Sequence, residues 1–199
     1  MSDIIITEKP DSLSFEVIRE VLQQAHAANK EKGINLHTTE FSADELEKHI
    51  GNSGKCFIAL DGDKVVGTAS YRIIHRKSWY VDGIVADEVL IGILPAYKGK
   101  HIFSRLHTKI ENEVKSKDYS MLVYNTAEAN LPIQKFGLSR GFRYVGYFVA
   151  EDNDHYSVVL AKWLKECPFS AFRIWLGYHN MKLRTRVMYK PGKVKRFGL

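Results

Sequence analysis

The stretch ILPAYKGKHIFSRLHTKIENEV, residues 93–114, constrains the fold most, because an apolar run ends at a proline and a short basic loop follows. Apolar residues then recur at every fourth position, at Ile102, Leu106, Ile110 and Val114. This spacing predicts a helix with one buried face. The first amide groups of a helix have no intrahelical partner and bind anions, and nearby lysines add positive charge. The loop Lys98-Gly99-Lys100-His101 therefore predicts a phosphate-binding site, in which Gly99 permits a tight turn.

The order of predicted elements is that of an α/β protein, with a mixed central sheet and helices on both of its faces. A β-branched run at Ile4–Thr7 predicts the first strand. Helical spacing from Phe15, with Ser14 as the N-cap, predicts a helix in a region that Gly33 ends. Ser42-Ala43-Asp44-Glu45 has the pattern of a capping box and predicts the start of a second helix.

The middle of the chain contains the clearest strand patterns. Two β-rich runs flank an Asp61-Gly62 turn within residues 55–73, which predicts a hairpin. The apolar segment from Glu88 to Leu94 predicts a central strand buried on both faces, whereas the pattern of residues 75–87 does not decide between structures. The later segments predict, in order, a strand at 120–124, a helix at 131–140 and two strands at 142–149 and 155–163.

Length and composition favour one domain with an appendage. The chain has 199 residues, of which 45% are hydrophobic, enough to fill a core. It has no apolar run near the ~18 residues that span a bilayer, and its first residues lack the basic start of a secretory signal. Cys56 and Cys167 do not have the spacing of metal ligands. These features predict a cytoplasmic protein with reduced cysteines and no metal site.

Positive charge is concentrated at the end of the chain. Residues 166–199 contain eight Lys or Arg and one acid, a net charge of +7, whereas the whole chain carries +6. The preceding residues are close to neutral, which argues against nucleic-acid binding by the main domain. We therefore predict a domain at residues 1–165 and a basic, aromatic C-terminal extension at residues 166–199.

The extension has three interpretations. Phe169, Phe172, Trp175 and Leu176 fall at helical spacing, which predicts an apolar helix face docked on the domain and followed by a solvated basic end. Aromatic and basic residues together also suit contact with an anionic membrane surface or a lipid-linked acceptor. The third interpretation is nucleic acid, but no motif supports it and no nucleic-acid partner is expected. Pro191-Gly192 interrupts any continuous helix near the end.

The loop at residues 98–101 lacks two common phosphate-binding motifs. A Walker loop needs a glycine where this chain has Leu94, and Ser or Thr where it has His101. The glycine pattern of a dinucleotide-binding loop is also missing from this stretch. The anion must therefore be bound in another way.

The same stretch, together with later residues, resembles the GNAT acetyltransferase superfamily over roughly residues 3–165. The resemblance rests on a strand followed by Pro95, a basic residue and Gly99, and later by Asn130 and the Gly141-Phe142 pair. In that family the strand before the loop binds the pantetheine arm of acetyl-CoA through its backbone, and the loop amides bind the pyrophosphate. The resemblance thus implies a GNAT fold with acetyl-CoA as co-substrate.

The resemblance also implies which residues bind acetyl-CoA. Ile93 and Leu94 would supply backbone contacts to the pantetheine arm, and Asn130 would supply a side-chain amide contact. The pyrophosphate loop would consist of Lys98, Gly99, Lys100, His101, Ile102 and Phe103.

Four positions differ from the family's pattern, and a fifth is a candidate substitute for one of them. The family has Arg or Gln at the position of Lys98, and small residues at the positions of His101 and Phe103, where phosphate oxygens approach the backbone. His101 could itself donate a hydrogen bond to a phosphate. Phe136 stands where many members have a tyrosine that protonates the leaving CoA thiolate. Phe136 would line the CoA site without donating a proton, and Tyr124 is the nearest substitute in sequence.

Acetyl transfer requires a neutral amine, so a carboxylate or a chain of water molecules near the acceptor would assist by removing a proton, and a carboxylate could do so directly or through water. Glu88 opens the predicted central strand and is the leading candidate, with Asp87 and Asp82 as alternatives. A backbone N–H of Ile93 or Leu94 is the candidate to stabilise the charge that develops on the thioester oxygen. By the same resemblance, His26, His37 and His75 lie in segments that border the acceptor pocket, and each is expected at the surface.

The favoured hypothesis is an acetyl-CoA-dependent N-acetyltransferase that acts on the amine of a small molecule, with amino sugars as one candidate class. The alternative is a non-catalytic module of the same fold that binds CoA or another anionic ligand, because the loop lacks the family's small residues and Phe136 lacks a hydroxyl. The expected partner is a small-molecule amine. Contact of the extension with a membrane surface, and a homodimer, are left open.

Overall fold

The computed structural model describes residues 3–30, 36–149 and 155–190, so Gly33 and Pro191-Gly192 lie outside it. Within these residues the helices are α1 (Phe15–Lys30), α2 (Ala43–Ile50), α3 (Ile102–Lys115), α4 (Leu131–Ser139) and α5 (Ala171–Met188). The strands are β1 (Ile5–Glu8), β2 (Lys55–Asp61), β3 (Lys64–Ser78), β4 (Val81–Ile93), β5 (Met121–Ala127), β6 (Arg143–Val149) and β7 (Tyr156–Trp163).

The strands form one mixed sheet in the order β1-β2-β3-β4-β5-β7-β6, which confirms the predicted α/β fold. β1 pairs antiparallel with β2, and β7 pairs antiparallel with both β5 and β6. The predicted hairpin is β2–β3, in which Asp61 pairs with Lys64 and Gly62 takes a φ of 59° in the turn between them. The sequence pattern was sufficient here because Asp-Gly supplies the positive φ that a tight hairpin turn needs.

The predicted helix caps are also confirmed. Ser42 and Glu45 form a complete capping box at the start of α2, with each side chain accepting a hydrogen bond from the other residue's backbone N–H. At the start of α1, the backbone N–H of Glu16 donates to Ser14 Oγ. Both helices thus begin where local side-chain chemistry satisfies their first amide groups.

The described residues divide into two compact units. The first contains residues 3–30, 36–74 and 86–118, and the second contains residues 75–85, 119–149 and 155–190. The core of the first unit includes Ile18, Leu22, Leu46, Phe57, Leu106 and Ile110, and that of the second includes Tyr124, Phe142, Val145, Tyr147 and Leu160.

Residues 75–87, which the sequence left undecided, belong to the two longest strands and the turn at Trp79-Tyr80 that joins them. β3 continues to Ser78 and β4 begins at Val81, so the strand predicted at Glu88–Leu94 is only the second half of β4. The outer parts of both strands are half-exposed, and His75 lies 3.7 Å from Asp82 across them. These parts lack an apolar run because they have little to bury, which is why the hydrophobic pattern did not reveal them.

The helix of the C-terminal extension, α5, docks through a different face from the one predicted. Ile174, Tyr178 and Thr185 are its buried residues, whereas Phe172 and Trp175 of the predicted face are exposed. That prediction is therefore wrong. The docked face instead presents hydrogen-bonding side chains to β6, an edge strand of the sheet.

β6 is the last strand of the sheet, so its outer backbone groups need partners other than a strand. The N–H of Tyr147 donates to Met181 Sδ over 3.2 Å, and its carbonyl accepts a hydrogen bond from Thr185 Oγ1 over 3.0 Å. Arg186 and Lys182 both form ion pairs with Glu128. The docked face of α5 is thus the one that supplies hydrogen-bond partners to the edge strand β6 and ion pairs to Glu128, and it is not selected by apolar area alone.

α4 packs closely over β5 because Gly137 has no side chain. A Cβ at this position would lie 3.0 Å from Tyr124 Cζ and 3.2 Å from Leu160 Cδ2. The Tyr124 ring is 1% exposed, stands 5.1 Å from the ring of Phe142, and its hydroxyl donates to the carbonyl of Ile133. Tyr124 is therefore a packing residue between β5 and α4.

We predict that Gly137→Ala lowers the free energy of unfolding by about 1–3 kcal/mol, because the new methyl group overpacks against the fixed Tyr124 ring. Urea denaturation measures the change, with exposed Ser139→Ala on the same helix as the control. Adding Tyr124→Phe removes the hydroxyl and should restore part of the loss. If the double variant is no more stable than Gly137→Ala, the clash with Tyr124 is not its cause.

Candidate active site

The second half of β4 leaves the regular strand conformation at Leu90. This residue has a φ of 52° although it is a buried leucine, and a bulky residue in this region is an outlier. Such strain persists only where the surroundings enforce it, and it is concentrated at functional sites. The backbone that follows Leu90 is therefore the first element of the candidate site.

One edge of the backbone after Leu90 is hydrogen-bonded to β3. The N–H of Leu94 donates to the carbonyl of Val66 on β3 over 3.0 Å. Successive residues of a strand point their N–H groups to opposite edges, so the N–H of Ile93 points away from β3. Of the two predicted backbone donors, Leu94 is thus committed to the sheet, and its predicted pantetheine or oxyanion contact is not supported. Ile93 remains the candidate.

α1 approaches the same backbone closely at Gly92. A Cβ on this glycine would lie 3.1 Å from Leu22 Cδ2 and 3.2 Å from the Cβ of Ala25. The close approach brings His26 of α1 to the strand, where its Nε2–H donates to the carbonyl of Ile91 over 2.7 Å. His26 Nδ1 accepts a hydrogen bond from Asn29 Nδ2 over 3.0 Å, which assigns the tautomer.

The sequence placed His26 at the surface, but the side chain is half-buried and bonded to β4. Burial lowers the pKa of His26, the hydrogen bond to Ile91 opposes this shift, and the Lys98 ammonium lowers the pKa further. Its position, four residues after Leu22 and next to Ala25, lies on the apolar face of α1 and was the available signal.

The loop between β4 and α3 has two residues with positive φ. Gly99 has a φ of 81°, and His101 has a φ of 59° and a ψ of 15°. α3 begins at Ile102, and the side chain of His101 makes no capping hydrogen bond. A left-handed residue followed by a helical one turns successive N–H groups toward one point, a concavity that binds anions. The first turn of α3 therefore retains its anion-binding amides.

The two lysines of the loop contact neighbours other than α3. Lys98 Nζ donates to the carbonyl of Ala25 over 3.4 Å, and Lys100 Nζ lies 4.6 Å from the ring centroid of Tyr97. The Tyr97 hydroxyl in turn donates to Asp61 Oδ2 over 2.7 Å. Both lysines are exposed, so they place positive charge beside the loop while their contacts fix its course.

The side chains of Ile102 and Phe103, the last two residues of the predicted loop, both pack against the protein. Ile102 is buried, and its Cγ2 lies 3.3 Å from the position of a Cβ at Gly67, so only its backbone is available to a ligand. Phe103 is half-buried, with its ring 6.0 Å from that of His107. Phe103 thus packs along α3 and leaves the backbone of the first turn as the binding element.

The predicted catalytic carboxylate, Glu88, is enclosed. Its side chain is 0% exposed, and Oε2 lies 2.8 Å from His107 Nδ1, which donates to it. Oε1 has no hydrogen-bond partner among the described residues. His107 Nε2 lies 3.7 Å from Glu111, which pairs with Lys115. An enclosed carboxylate does not meet an acceptor amine directly, so Glu88 as the contacting base is not supported.

The alternative carboxylates are also engaged. Asp87 points to the opposite face of β4 from Glu88, as alternation requires, and accepts two hydrogen bonds from the Arg72 guanidinium. His49 of α2 lies 3.4 Å from Arg72 on the same face. Asp82 is exposed on the outer part of β4. Asp87 is thus a buried partner of Arg72, and its charge is already balanced.

The other predicted residues belong to the second unit. Asn130 precedes α4 and donates from Nδ2 to Thr126 Oγ1 over 3.0 Å, without capping the helix. Its carboxamide oxygen accepts no hydrogen bond from the described residues and is available to a ligand. Phe136 is half-buried, with the Arg140 guanidinium 5.4 Å from its ring centroid. Tyr124 is buried against α4, so its predicted role as general acid is not supported.

The chain was compared with known proteins. Residues 18–142 match the acetyltransferase (GNAT) family model, a span of more than half of the chain. The chain belongs to the GNAT acetyltransferase family. The resemblance inferred from the loop is thus confirmed. No curated protein matches the sequence.

Solved structures of GNAT acetyltransferases share the fold. The ribosomal-protein-S18-alanine N-acetyltransferase of Escherichia coli has a TM-score of 0.64 and 14% identity, covering 82% of this chain and 96% of its own. NAA60 of Arabidopsis thaliana, solved with a bisubstrate analogue, has a TM-score of 0.62 and 14% identity. The match covers 81% of this chain and 98% of NAA60. An aminoglycoside 6'-N-acetyltransferase, solved with coenzyme A, has a TM-score of 0.60 and 16% identity. The match covers 83% of this chain and 99% of that enzyme. At such identities the likeness establishes the fold alone.

GNAT enzymes use acetyl-CoA. His101 replaces the family's small residue but adopts the left-handed conformation that a glycine would supply. Histidine tolerates this conformation better than most residues. Among residues 3–30, 36–149 and 155–190, no group of three or more His, Cys, Asp or Glu side chains is placed to hold a metal ion.

We predict that the backbone conformation at His101, not its imidazole, governs CoA binding. His101→Gly and His101→Asn both accept positive φ and should bind CoA about as well as the original chain. His101→Val should bind roughly 5–30-fold more weakly, because a left-handed residue with a branched side chain costs about 1–2 kcal/mol. Calorimetric titration with CoA decides this. Equal losses in all three variants would instead assign the binding to the imidazole.

We predict a pH dependence of stability from His26. Because its pKa is lowered in the folded state, the unfolded chain binds more protons as pH falls below about 6.5. The contribution of His26 is complete above that pH and is lost toward the lowered pKa. His26→Gln keeps a donor for Ile91 but does not titrate, so urea denaturation should show a shallower loss of stability between neutral and mildly acidic pH. Parallel curves for both chains would exclude His26 as the titrating group.

Proposed function

We propose that the chain is an acetyl-CoA-dependent N-acetyltransferase that acts on the amine of a small molecule. The observation that carries the proposal is the conformation of the loop before α3. Gly99 and His101 keep positive φ, so the amides of the first turn still converge on one point although the family's small residues are replaced. A loop that had lost its binding function would have no reason to hold a histidine in this strained conformation.

The amides at the start of α3 bind the pyrophosphate, with the positive end of the helix dipole and the charges of Lys98 and Lys100 beside them. Bound acetyl-CoA supplies an acetyl thioester whose carbonyl carbon accepts the amine nitrogen as the carbon–sulfur bond breaks. The N–H of Ile93, which points away from β3, donates to the carbonyl oxygen as charge develops there.

His26 holds this backbone in place. Its hydrogen bond to the carbonyl of Ile91 fixes the strand two residues before Ile93, next to the strained Leu90. With its pKa lowered, the imidazole stays neutral near pH 7 and keeps the Nε2–H that makes this bond. His26 is thus a positioning residue for the donor at Ile93 and does not itself remove a proton.

Proton removal does not depend on an enclosed carboxylate in this proposal. Glu88 and Asp87 are both buried and bound to His107 and Arg72, so the acceptor loses its proton to water. Phe136 cannot protonate the leaving thiolate, which leaves without that assistance. A small amine that is partly neutral near the working pH, such as that of an amino sugar, suits this arrangement better than a strongly basic one.

The proposal is tested by mixing the chain with acetyl-CoA and a panel of amines and measuring free CoA thiol. The panel contains glucosamine, an aminoglycoside, spermidine and a peptide with a free N-terminal alanine, because GNAT enzymes act on small-molecule or protein amines. We expect thiol release that requires both the chain and an amino sugar, with the acetylated product identified by mass spectrometry. Release should be faster at higher pH, as more of the amine becomes neutral.

The loop variants serve as matched controls in this assay. His101→Asn should retain release and His101→Val should lose it at the same CoA concentration. Release only with the peptide would replace the small molecule with a protein acceptor. CoA binding without release for any amine of the panel would favour the non-catalytic module instead.

A further inference from the structure

The outward face of α5 carries large apolar side chains. Each stands two positions from a residue of the docked face, about 200° around the helix, and therefore opposite to it. The exposed residues of this outer face are Phe172 (68% exposed), Leu176 (42%), Leu183 (65%) and Val187 (75%). Isolated exposed apolar residues are common, but these four lie on one helix face, as two pairs separated by the turn with His179 and Asn180. An apolar stripe of this kind marks an interaction surface.

Aromatic residues extend the stripe at its N-terminal end. The rings of Phe172 and Trp175 stack with centroids 6.1 Å apart, and Trp175 lies 4.3 Å from the ring of His179. Trp175 is 53% exposed. Tryptophan suits the boundary between water and acyl chains because its large ring is apolar and its indole N–H is polar, and phenylalanine adds apolar area on the face that enters this boundary.

The charges that border the stripe are all positive. α5 contains Arg173, Lys182, Arg184 and Arg186, and no Asp or Glu. Lys182 and Arg186 pair with Glu128, whereas Arg173 and Arg184 form no ion pair within the described part of the chain. On the helix wheel, Arg173 and Arg184 lie beside the stripe on the same side. The sequence that follows adds Lys190, Lys193, Lys195 and Arg196.

We propose that the outer face of α5 docks on an anionic lipid surface. A second copy of the chain would fit the apolar stripe, but it would bring Arg173 and Arg184 against like charges with no acid of α5 to offset them. An anionic bilayer accepts the apolar side chains between its headgroups and attracts the flanking arginines. Charge complementarity therefore selects the lipid surface over a copy of α5.

The helix lies on such a surface and does not cross it. Among the helices within residues 3–30, 36–149 and 155–190, none is long and apolar enough to span a bilayer. The opposite face of α5 is occupied by its contacts with β6, through Tyr178, Met181 and Thr185. The surface contact thus uses only the face that folding leaves exposed, and it does not require α5 to leave the domain.

Vesicle sedimentation with the full chain tests the proposal. We expect binding to vesicles of phosphatidylglycerol and phosphatidylcholine at low salt, weaker binding at high salt, and none to phosphatidylcholine alone. Arg173→Gln with Arg184→Gln should weaken binding roughly 10–30-fold, because each basic residue at an anionic surface contributes about tenfold or less. Leu176→Gln with Leu183→Gln should weaken it at least as much while keeping every charge.

Matched controls separate the stripe from general effects. Lys135→Gln with Arg143→Gln removes two exposed charges of the same unit, and Leu131→Gln with Leu138→Gln removes two exposed leucines of α4. Both controls should bind vesicles like the original chain, and thermal melts should show that all variants fold. The proposal is overturned if the original chain does not bind, if controls and α5 variants lose binding equally, or if the α5 leucine variant instead dissociates a dimer seen by light scattering.

Discussion

The backbone of β4 beyond Leu90 is the constraint on which the candidate site depends. One edge of this segment is fixed to β3 through Leu94, and α1 is held against it where Gly92 permits close approach. On the other edge, His26 donates a hydrogen bond to the carbonyl of Ile91. The N–H of Ile93, two residues later on the same edge, is not used by this bond. A single strained residue, Leu90, thus separates the part of the strand that builds the core from the part that the proposed site uses.

Local chemistry determined which parts of the fold could be predicted from sequence. The capping box at Ser42 and the Asp61-Gly62 turn were predictable, because a few adjacent residues specify them. The loop before α3 belongs to the same class, and its family resemblance proved right even though His101 replaces a small residue. The sequence showed that replacement, but only the backbone angles show that histidine keeps the required conformation.

The sequence could not show that some of the predicted site residues are enclosed, because their neighbours come from distant parts of the chain. Position on a strand suggested Glu88, but the sequence does not show that His107 of α3 faces it and encloses it. Tyr124 similarly meets a helix backbone that comes close only because Gly137 lacks a side chain. His26 was missed for the converse reason, since a polar residue on an apolar helix face is recognised as structural only when its partner on β4 is known.

The docked face of α5 could not be predicted from its sequence either. Its sequence is apolar on two sides, so periodicity alone could not tell which side docks. The unpaired edge of β6 decides it, because Tyr147 needs a donor and an acceptor, and Thr185 and Met181 supply them. The side of α5 that satisfies this edge is therefore the buried one. The more hydrophobic side, with Phe172 at its start, is left outward, and this is the side that we propose to contact an anionic lipid surface.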